Sequence, residues 1–332
     1  MGVVPFTALW LSRGGGLKPA AILILPLAPI AGTACVMTPK SQIDAFGAAS
    51  LICFSVLLAF NQVAIKLASE GLQPVFMAGV RSVGAIACIG FWMWLRGITL
   101  DFQTARWAGI AVGCAFGIEF MFLFTALDLT TVARASVIFY SMPLWLALAA
   151  HFLLGEHLHL RKSIGLIAAF AGVALAIFNG VSASGSGNLA GDICALLAAW
   201  LWAAIALLAK ASPLRDVKPE MQLMWQVSIS APLLLGASLF FGPAIRALEP
   251  IHLWSLAFQT LCVASAGFLF WFWLLRRYPA SQVASFSFLS PVFGVAMGWL
   301  LLNDPVGPIL LISLVLVAFG LVLINLPKPL ST

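Results

Sequence analysis

From residue 44 onward, long apolar runs alternate with short polar or charged connectors, and this pattern predicts ten helices. Their limits fall near 44–65, 74–95, 107–127, 131–154, 162–180, 190–209, 220–241, 251–275, 281–302 and 308–326. Runs of about 20 apolar residues, at 1.5 Å rise per residue, match the hydrocarbon thickness of a bilayer. Glu70-Gly71-Leu72-Gln73-Pro74 and Asn303-Asp304-Pro305 separate runs with helix-stopping Gly and Pro, whereas Arg96 to Arg106 separates two with charge. Most connectors are too short to fold alone, so the pattern describes an all-α, multi-pass membrane protein.

Composition supports that reading. The 332 residues are 62% hydrophobic and 8% charged, with mean hydropathy +1.08, whereas a soluble domain carries about a quarter charged residues. The net charge of +6 forms no basic face for nucleic acid. It sorts by loop instead, since Lys and Arg collect on the cytoplasmic side of membrane proteins. One face, called the even-loop face below, collects Arg96, Arg106, Arg161, Lys162, Lys210, Arg215, Lys218, Arg276 and Arg277, with Lys40 before the first helix and Lys328 after the tenth. The odd-loop face has Lys66, Arg134 and Arg246. Eleven against three places both ends of the ten-helix body in the cytoplasm. The six cysteines, at 35, 53, 88, 114, 194 and 262, lie in apolar stretches without paired spacing and read as packing residues.

Residues 1–43 form an extension outside the ten-helix pattern. Lys18 to Val36 is apolar, but Pro19, Pro26 and Pro29 make it a poor helix, and Arg13 and Lys18 resemble a signal-peptide flank. Translation starting at Met37, a cleaved leader and a retained extra segment are all compatible with it; the prolines favour the first.

The second half repeats the first. At an offset of 148, Pro143 meets Pro291, Gly155-Glu156 meets Asn303-Asp304, and Gly172 meets Gly320; at 144, Lys66 meets Lys210 and Met77 meets Met221. The expected organisation is residues 44–180 as one five-helix repeat, 181–189 as an external linker, 190–326 as the second repeat and 327–332 as a tail. Because five is odd, the second repeat enters from the opposite face, giving an inverted pair. That is the architecture of secondary transporters, with a site near the midplane exposed to each side in turn.

The repeats also carry a family likeness. Ala126-Leu127-Asp128-Leu129-Thr130-Thr131-Val132-Ala133-Arg134-Ala135-Ser136, then Tyr140-Ser141-Met142-Pro143 and Leu153-Leu154-Gly155-Glu156, resembles the EamA-type repeat. Tyr278-Pro279-Ala280-Ser281-Gln282-Val283-Ala284, Leu289-Ser290-Pro291 and Asn303-Asp304 form its second copy. Over residues 44–326 the chain is similar to the ten-helix branch of the drug/metabolite transporter superfamily. The resemblance implies a carrier in the cytoplasmic membrane, often an exporter of amino acids or other small metabolites.

Ionisable groups at membrane depth cost at least about 2.5–3.5 kcal/mol at a helix centre and often serve transport. Glu119, nine residues before Asp128, and Arg81, seven after Pro74, lie about 13 and 10 Å below the odd-loop face. They are candidates for a substrate or proton site, or for an ion pair that only locks helices together. Asn61 and Tyr140 lie toward the same face; Gln226, Gln282, Ser285 and Ser287 lie toward the even-loop face, and Gln259 toward the odd. Each is a cavity candidate or simply interhelical glue. Pro143 and Pro291, inside helices 4 and 9, are candidate hinges. Trp271 and Trp273 on helix 8 suit an interfacial aromatic belt, or a stacking wall for a planar substrate; Trp200 and Trp202 lie on helix 6. Glu156-His157-Leu158-His159 occupies a solvated loop with no further metal ligand nearby, and no cofactor motif is present.

The sequence thus predicts a carrier of a small amphipathic metabolite, with no nucleic-acid partner, no cofactor and no metal. A membrane enzyme acting on a lipid-linked substrate needs a catalytic cluster at one interface, and a passive channel needs a charged ring or filter; neither pattern is present. Reporter fusions after Leu326 and within Lys210 to Lys218 should report cytoplasm, and one within Val181 to Gly187 the outside. An external signal at the C-terminus would overturn the ten-span count.

Overall fold

The computed structural model describes residues 43–154, 160–182, 188–278, 286 and 289–325. The expectations for the N-terminal extension, the Glu156 to His159 loop, Gln282, Ser285, Ser287 and the C-terminal tail lie outside these residues.

The helices are α1 (Ala45–Gly71), α2 (Pro74–Leu95), α3 (Arg106–Leu129), α4 (Val132–Phe139), α5 (Met142–Leu154), α6 (Leu160–Ser182) and α7 (Leu189–Ala211). They continue with α8 (Pro219–Ser238), α9 (Pro250–Phe258), α10 (Phe268–Arg277), α11 (Leu289–Leu302) and α12 (Pro308–Asn325). A nine-residue π-helix, Gln259–Gly267, joins α9 to α10. All ten predicted spans hold helix: α4 and α5 together are the fourth, and α9, the π segment and α10 the eighth. Among the described residues, seven stretches are both long and apolar enough to cross a bilayer: 45–71, 74–95, 106–129, 132–153, 160–178, 189–211 and 250–271. The apolar helices α11 and α12 are shorter, and α8, with Gln222, Gln226 and Pro232, is long but more polar.

Local chemistry sets the ends. Asp44 accepts a hydrogen bond from the Gly47 N–H at 2.9 Å as the N-cap of α1, and Thr131 caps α4 through the Arg134 N–H. Pro74, Pro219 and Pro250 occupy the first turns of α2, α8 and α9, where the missing N–H costs no helix bond. Inside the spans, Ser55, Ser69, Ser82, Thr125, Thr260 and Ser313 each donate to the carbonyl four residues back. Hydroxyls that would otherwise be stranded in hydrocarbon are thereby satisfied within their own helix.

Packing obeys a two-fold relation between the repeats. Two helices pair with their own counterparts, α6 with α12 and α2 with α8, and the fourth span meets the ninth through α4 and α11. The other contacts come in matched sets. The packing of α3 on α7 is answered by α1 on α9, that of α3 on α8 by α2 on the π segment, and that of α1 on α11 by α7 on α5. With an odd number of spans per repeat, the axis relating them lies in the membrane plane, so the two five-helix repeats are inverted.

Glycine permits the closest crossings. On α3, Gly109, Gly113 and Gly117 recur every four residues against α8; a Cβ at Gly109 would lie 2.4 Å from the Trp225 ring, and one at Gly113 2.5 Å from Ile229. The counterparts Gly172 and Gly320 are reciprocal. A Cβ at Gly172 on α6 would meet the Ser313 carbonyl oxygen of α12 at 2.7 Å, and one at Gly320 the Gly165 oxygen of α6 at 2.4 Å. Small residues at such positions let helix backbones approach where no hydrophobic force separates protein from lipid. Exposed Trp94, Trp107, Phe152, Ile167 and Phe178 cover the outside, as a lipid-facing surface requires.

Gly172→Leu and Gly320→Leu should each cost about 1–3 kcal/mol through overpacking. Gly236→Ala, with nothing within 4 Å, should instead gain up to about 1 kcal/mol of helix propensity. Thermal unfolding of the purified variants checks both signs.

Candidate functional site

Arg81 on α2 and Glu119 on α3 are buried, 2% and 1% exposed. The guanidinium carbon of Arg81 lies 4.0 Å from the Phe120 ring centroid and 4.9 Å from that of Phe124, a desolvated cation–π pair of rings. No ion pair joins it to Glu119, although each stands within range of the other's charge. Both Glu119 carboxylate oxygens and the Arg81 Nε lack a hydrogen-bond partner. Of the two readings, the ion pair that would lock α2 to α3 is not formed: aromatic rings, not the carboxylate, pack on the guanidinium.

Gln259 converges on the same helix. It opens the π segment, is fully buried, and donates from Nε2 to the Met77 Sδ at 3.8 Å, one turn from Arg81 on α2. Its Oε1 is unpartnered, as is the buried Oδ1 of Asn61 on α1. Phe60 and Phe258, the residues just before Asn61 and Gln259, meet edge to face at 5.1 Å. The π segment itself leaves few traces in the sequence. One is the change of repeat offset from 144 to 148 between Met221 and Pro291, within which this wider stretch falls. Here Ser265 donates to the Thr260 carbonyl five residues back, and Gly84 of α2 gives Thr260 room. π turns inside helices recur at functional sites.

A second polar group ties α1 to α4. Ser136 donates to the Gln62 Oε1 at 2.6 Å, and Tyr140 faces the same amide. Gln62 adjoins Asn61, and its neighbour's polarity is the sequence signal that could have singled it out. Tyr140 does not continue helix 4: the helix breaks at Tyr140-Ser141, so Pro143 is the second residue of α5 and Pro291 the third of α11. Pro143 thus opens α5 rather than interrupting a helix, because a first-turn proline forfeits no bond. Gln226 on α8 is half-buried. Trp271 stacks on Phe54 at 4.9 Å and Trp200 packs edge-on against Trp145 at 5.1 Å; these rings are packing residues more than a belt. Trp273 lines a cavity of about 250 Å³ at the even-loop face.

The odd-loop ends are knitted together. Arg246 donates to both Asp128 oxygens, at 2.8 and 2.9 Å, and to the Ser69 carbonyl. The carboxylate beside it raises its already high pKa. Gln73 N–H donates to the Ala244 carbonyl and Arg246 N–H to that of Gly71. Lys66 donates to the carbonyls of Asp128 and Thr130 at the end of α3, where a cation suits the helix dipole. Arg134 pairs with Asp192, both buried, and Thr130 donates to the same carboxylate at 3.1 Å. Asp304 accepts from the Ala133 N–H at 2.9 Å; burial pushes its carboxyl above the usual range. The three cations of this face, which run against the loop asymmetry, are all consumed in the network.

One pair of contacts obeys the two-fold relation. Thr130 and Tyr278, 148 residues apart, are the C-caps of α3 and α10. Each donates to an aspartate at the start of the first helix of a repeat: Thr130 to Asp192 on α7, and Tyr278 to Asp44 before α1, at 2.7 Å. Gly191 and Gly47, 144 apart, let them approach; a Cβ there would meet Thr130 at 2.9 Å and the Tyr278 ring at 2.7 Å. One latch stands at each end of the bundle.

Comparison with known proteins agrees with this architecture. Residues 45–178 and 189–326 each match the EamA-like transporter family. The "Uncharacterized transporter YoaV" of Bacillus subtilis (strain 168) is 23% identical over 82% of this chain and 94% of its own length. A protein named "Probable amino-acid metabolite efflux pump" in Escherichia coli (strain K12) is 25% identical over 80% of this chain and 90% of its own. A solved crystal structure with 22% identity superposes with a TM-score of 0.59, covering 83% of this chain and 96% of that one, and shares its fold.

Arg134→Gln and Asp192→Asn should each cost about 3–5 kcal/mol by stranding a buried charge. The double variant should recover much of that loss, as thermal unfolding of the three proteins will show.

Proposed function

The chain belongs to the EamA-like transporter family, and we propose that it exports a small amphipathic metabolite, such as an amino acid or related compound, across the cytoplasmic membrane by alternating access. The observation that carries this reading is the group of buried, unpartnered polar atoms on Glu119, Arg81, Asn61 and Gln259. Such atoms are costly within a bilayer, and a substrate with its own donors and acceptors would satisfy them. The aromatic rings of Phe120 and Phe124 beside Arg81 supply the apolar half of the match.

In this reading Glu119 holds a cationic group of the substrate or a proton, Arg81 an anionic group, and Asn61 and Gln259 set orientation. Tyr140 and the helix break at Ser141 flank the path, and Pro143 and Pro291 mark where half-helices pivot. Gln226, Gln282 and Ser285 are candidates for the path on the even-loop side. The matched latches give the movement its two ends. Release of Thr130 and Arg134 from Asp192 opens the odd-loop side, while release of Tyr278 from Asp44 opens the even-loop side. Both ends of the ten-helix body lie in the cytoplasm, the 190–326 repeat being the inverted copy of 44–180. The relative named as an amino-acid metabolite efflux pump supports the outward direction and the substrate class.

Metabolites released by expressing and non-expressing cells identify the substrate. Its transport by Glu119→Gln in proteoliposomes should then fall at least about tenfold, equivalent to about 1.4 kcal/mol, with insertion unchanged and any pH dependence flattened. Unaltered transport across pH in that variant would remove Glu119 from the site.

A further inference from the structure

The cavity at the even-loop face is separate from the buried polar group. It is bounded by the end of α2, the start of α8 and α10, with Arg96, Lys218 and Glu220 among its polar walls and Trp92, Leu269 and Trp273 among its apolar ones. Arg96 lies fifteen residues beyond Arg81 on the same chain segment, about 22 Å along the helix axis. The cavity therefore stands at the membrane interface and not at the midplane.

From these residues we infer that the cavity binds the headgroup of an anionic phospholipid from the adjoining leaflet. Two cations line it against one carboxylate. Arg96 stands 5.5 Å over the Trp92 ring, and a third cation, Arg277, stands 5.5 Å over Trp273. Lys218 stands at the N-cap of α8, where its ammonium, having no acceptor, cannot bond the first N–H groups and adds its charge to the positive end of the helix dipole. The apolar side continues toward lipid. Trp273 stacks on Phe270 at 5.7 Å, and Phe270, Phe91, Trp94 and Leu95 are exposed. A cationic mouth at headgroup level with an apolar margin at acyl-chain level fits an amphiphile. Basic pockets between transmembrane helices on the cytoplasmic side hold anionic headgroups in this way. A water-soluble phosphate would have no use for the exposed aromatic margin. Because α2 and α8 are counterparts across the two-fold axis, a lipid seated there braces one repeat against the other. The inference does not depend on which metabolite is carried.

The test uses the purified full chain in nanodiscs of phosphatidylcholine with increasing phosphatidylglycerol, read by native mass spectrometry and thermal unfolding. Phosphatidylglycerol should bind about 30-fold more tightly than phosphatidylcholine, the combined attraction of two cations, and should raise the unfolding temperature. Arg96→Gln with Lys218→Gln should abolish that preference while unfolding as the wild type does in pure phosphatidylcholine. Lys218→Gln alone should lose about fivefold and serves if the double variant does not insert. Arg106→Gln, on the same face but outside the cavity, should change nothing. Equal retention of both lipids by the wild type, or an undiminished preference in the cavity variants, would overturn the proposal. An equal stabilisation by millimolar glycerol phosphate would overturn the lipid as its source.

Discussion

Within the hydrocarbon of a bilayer no water satisfies a polar group, and this one constraint orders the structure. Backbone groups are consumed in helices, and the hydroxyls of Ser55, Ser69, Ser82, Thr125, Thr260 and Ser313 fold back on their own helix carbonyls. Against that background of satisfaction the exceptions stand out. Glu119, Asn61, Gln259 and the Arg81 Nε hold buried atoms without partners, as do Gln73 and Trp225; the first four come from three helices around α2 together with α2 itself. We read them as the groups that a transported molecule completes.

The same absence of water makes association depend on close contact, and inversion uses each close contact twice. Gly172 and Gly320 exchange backbone contacts between α6 and α12, and the Thr130–Asp192 and Tyr278–Asp44 bonds fasten opposite ends of the bundle. The latches differ in chemistry. The odd-loop latch adds a buried arginine to the aspartate and sits in a network with Lys66, Asp128 and Arg246. The even-loop latch joins a phenol to an N-cap carboxylate beside an open cavity.

The spans were legible because hydrophobic length is a one-dimensional property, and the two-fold arrangement was legible because Pro143, Gly172 and their partners recur at a constant offset. Arg81 and Glu119 were visible as charges inside apolar runs. What was not visible depends on partners distant in sequence. Arg134 counts in the sequence only as one of the odd-loop cations, and no spacing singles out Asp192 as its partner until α4 and α7 meet. The choice of aromatic rings over Glu119 as the companions of Arg81 rests on side-chain rotation, which no spacing reports. The break at Tyr140-Ser141 was read as a proline kink because a proline follows it, and its position two residues earlier is set by tertiary packing. The π segment has no residue signature of its own.

In the proposed cycle the two latched ends open in alternation, a motion that dipolar electron paramagnetic resonance reads directly. Nitroxides at Leu129 and Leu189 flank the odd-loop latch, and nitroxides at Phe46 and Phe270, which both pack on Trp273, flank the even-loop one. In a chain without its six cysteines, each pair should show two distance populations. Added substrate should lengthen one distance as it shortens the other. A single unchanging distance at either end, or two distances that lengthen together, would contradict the alternation.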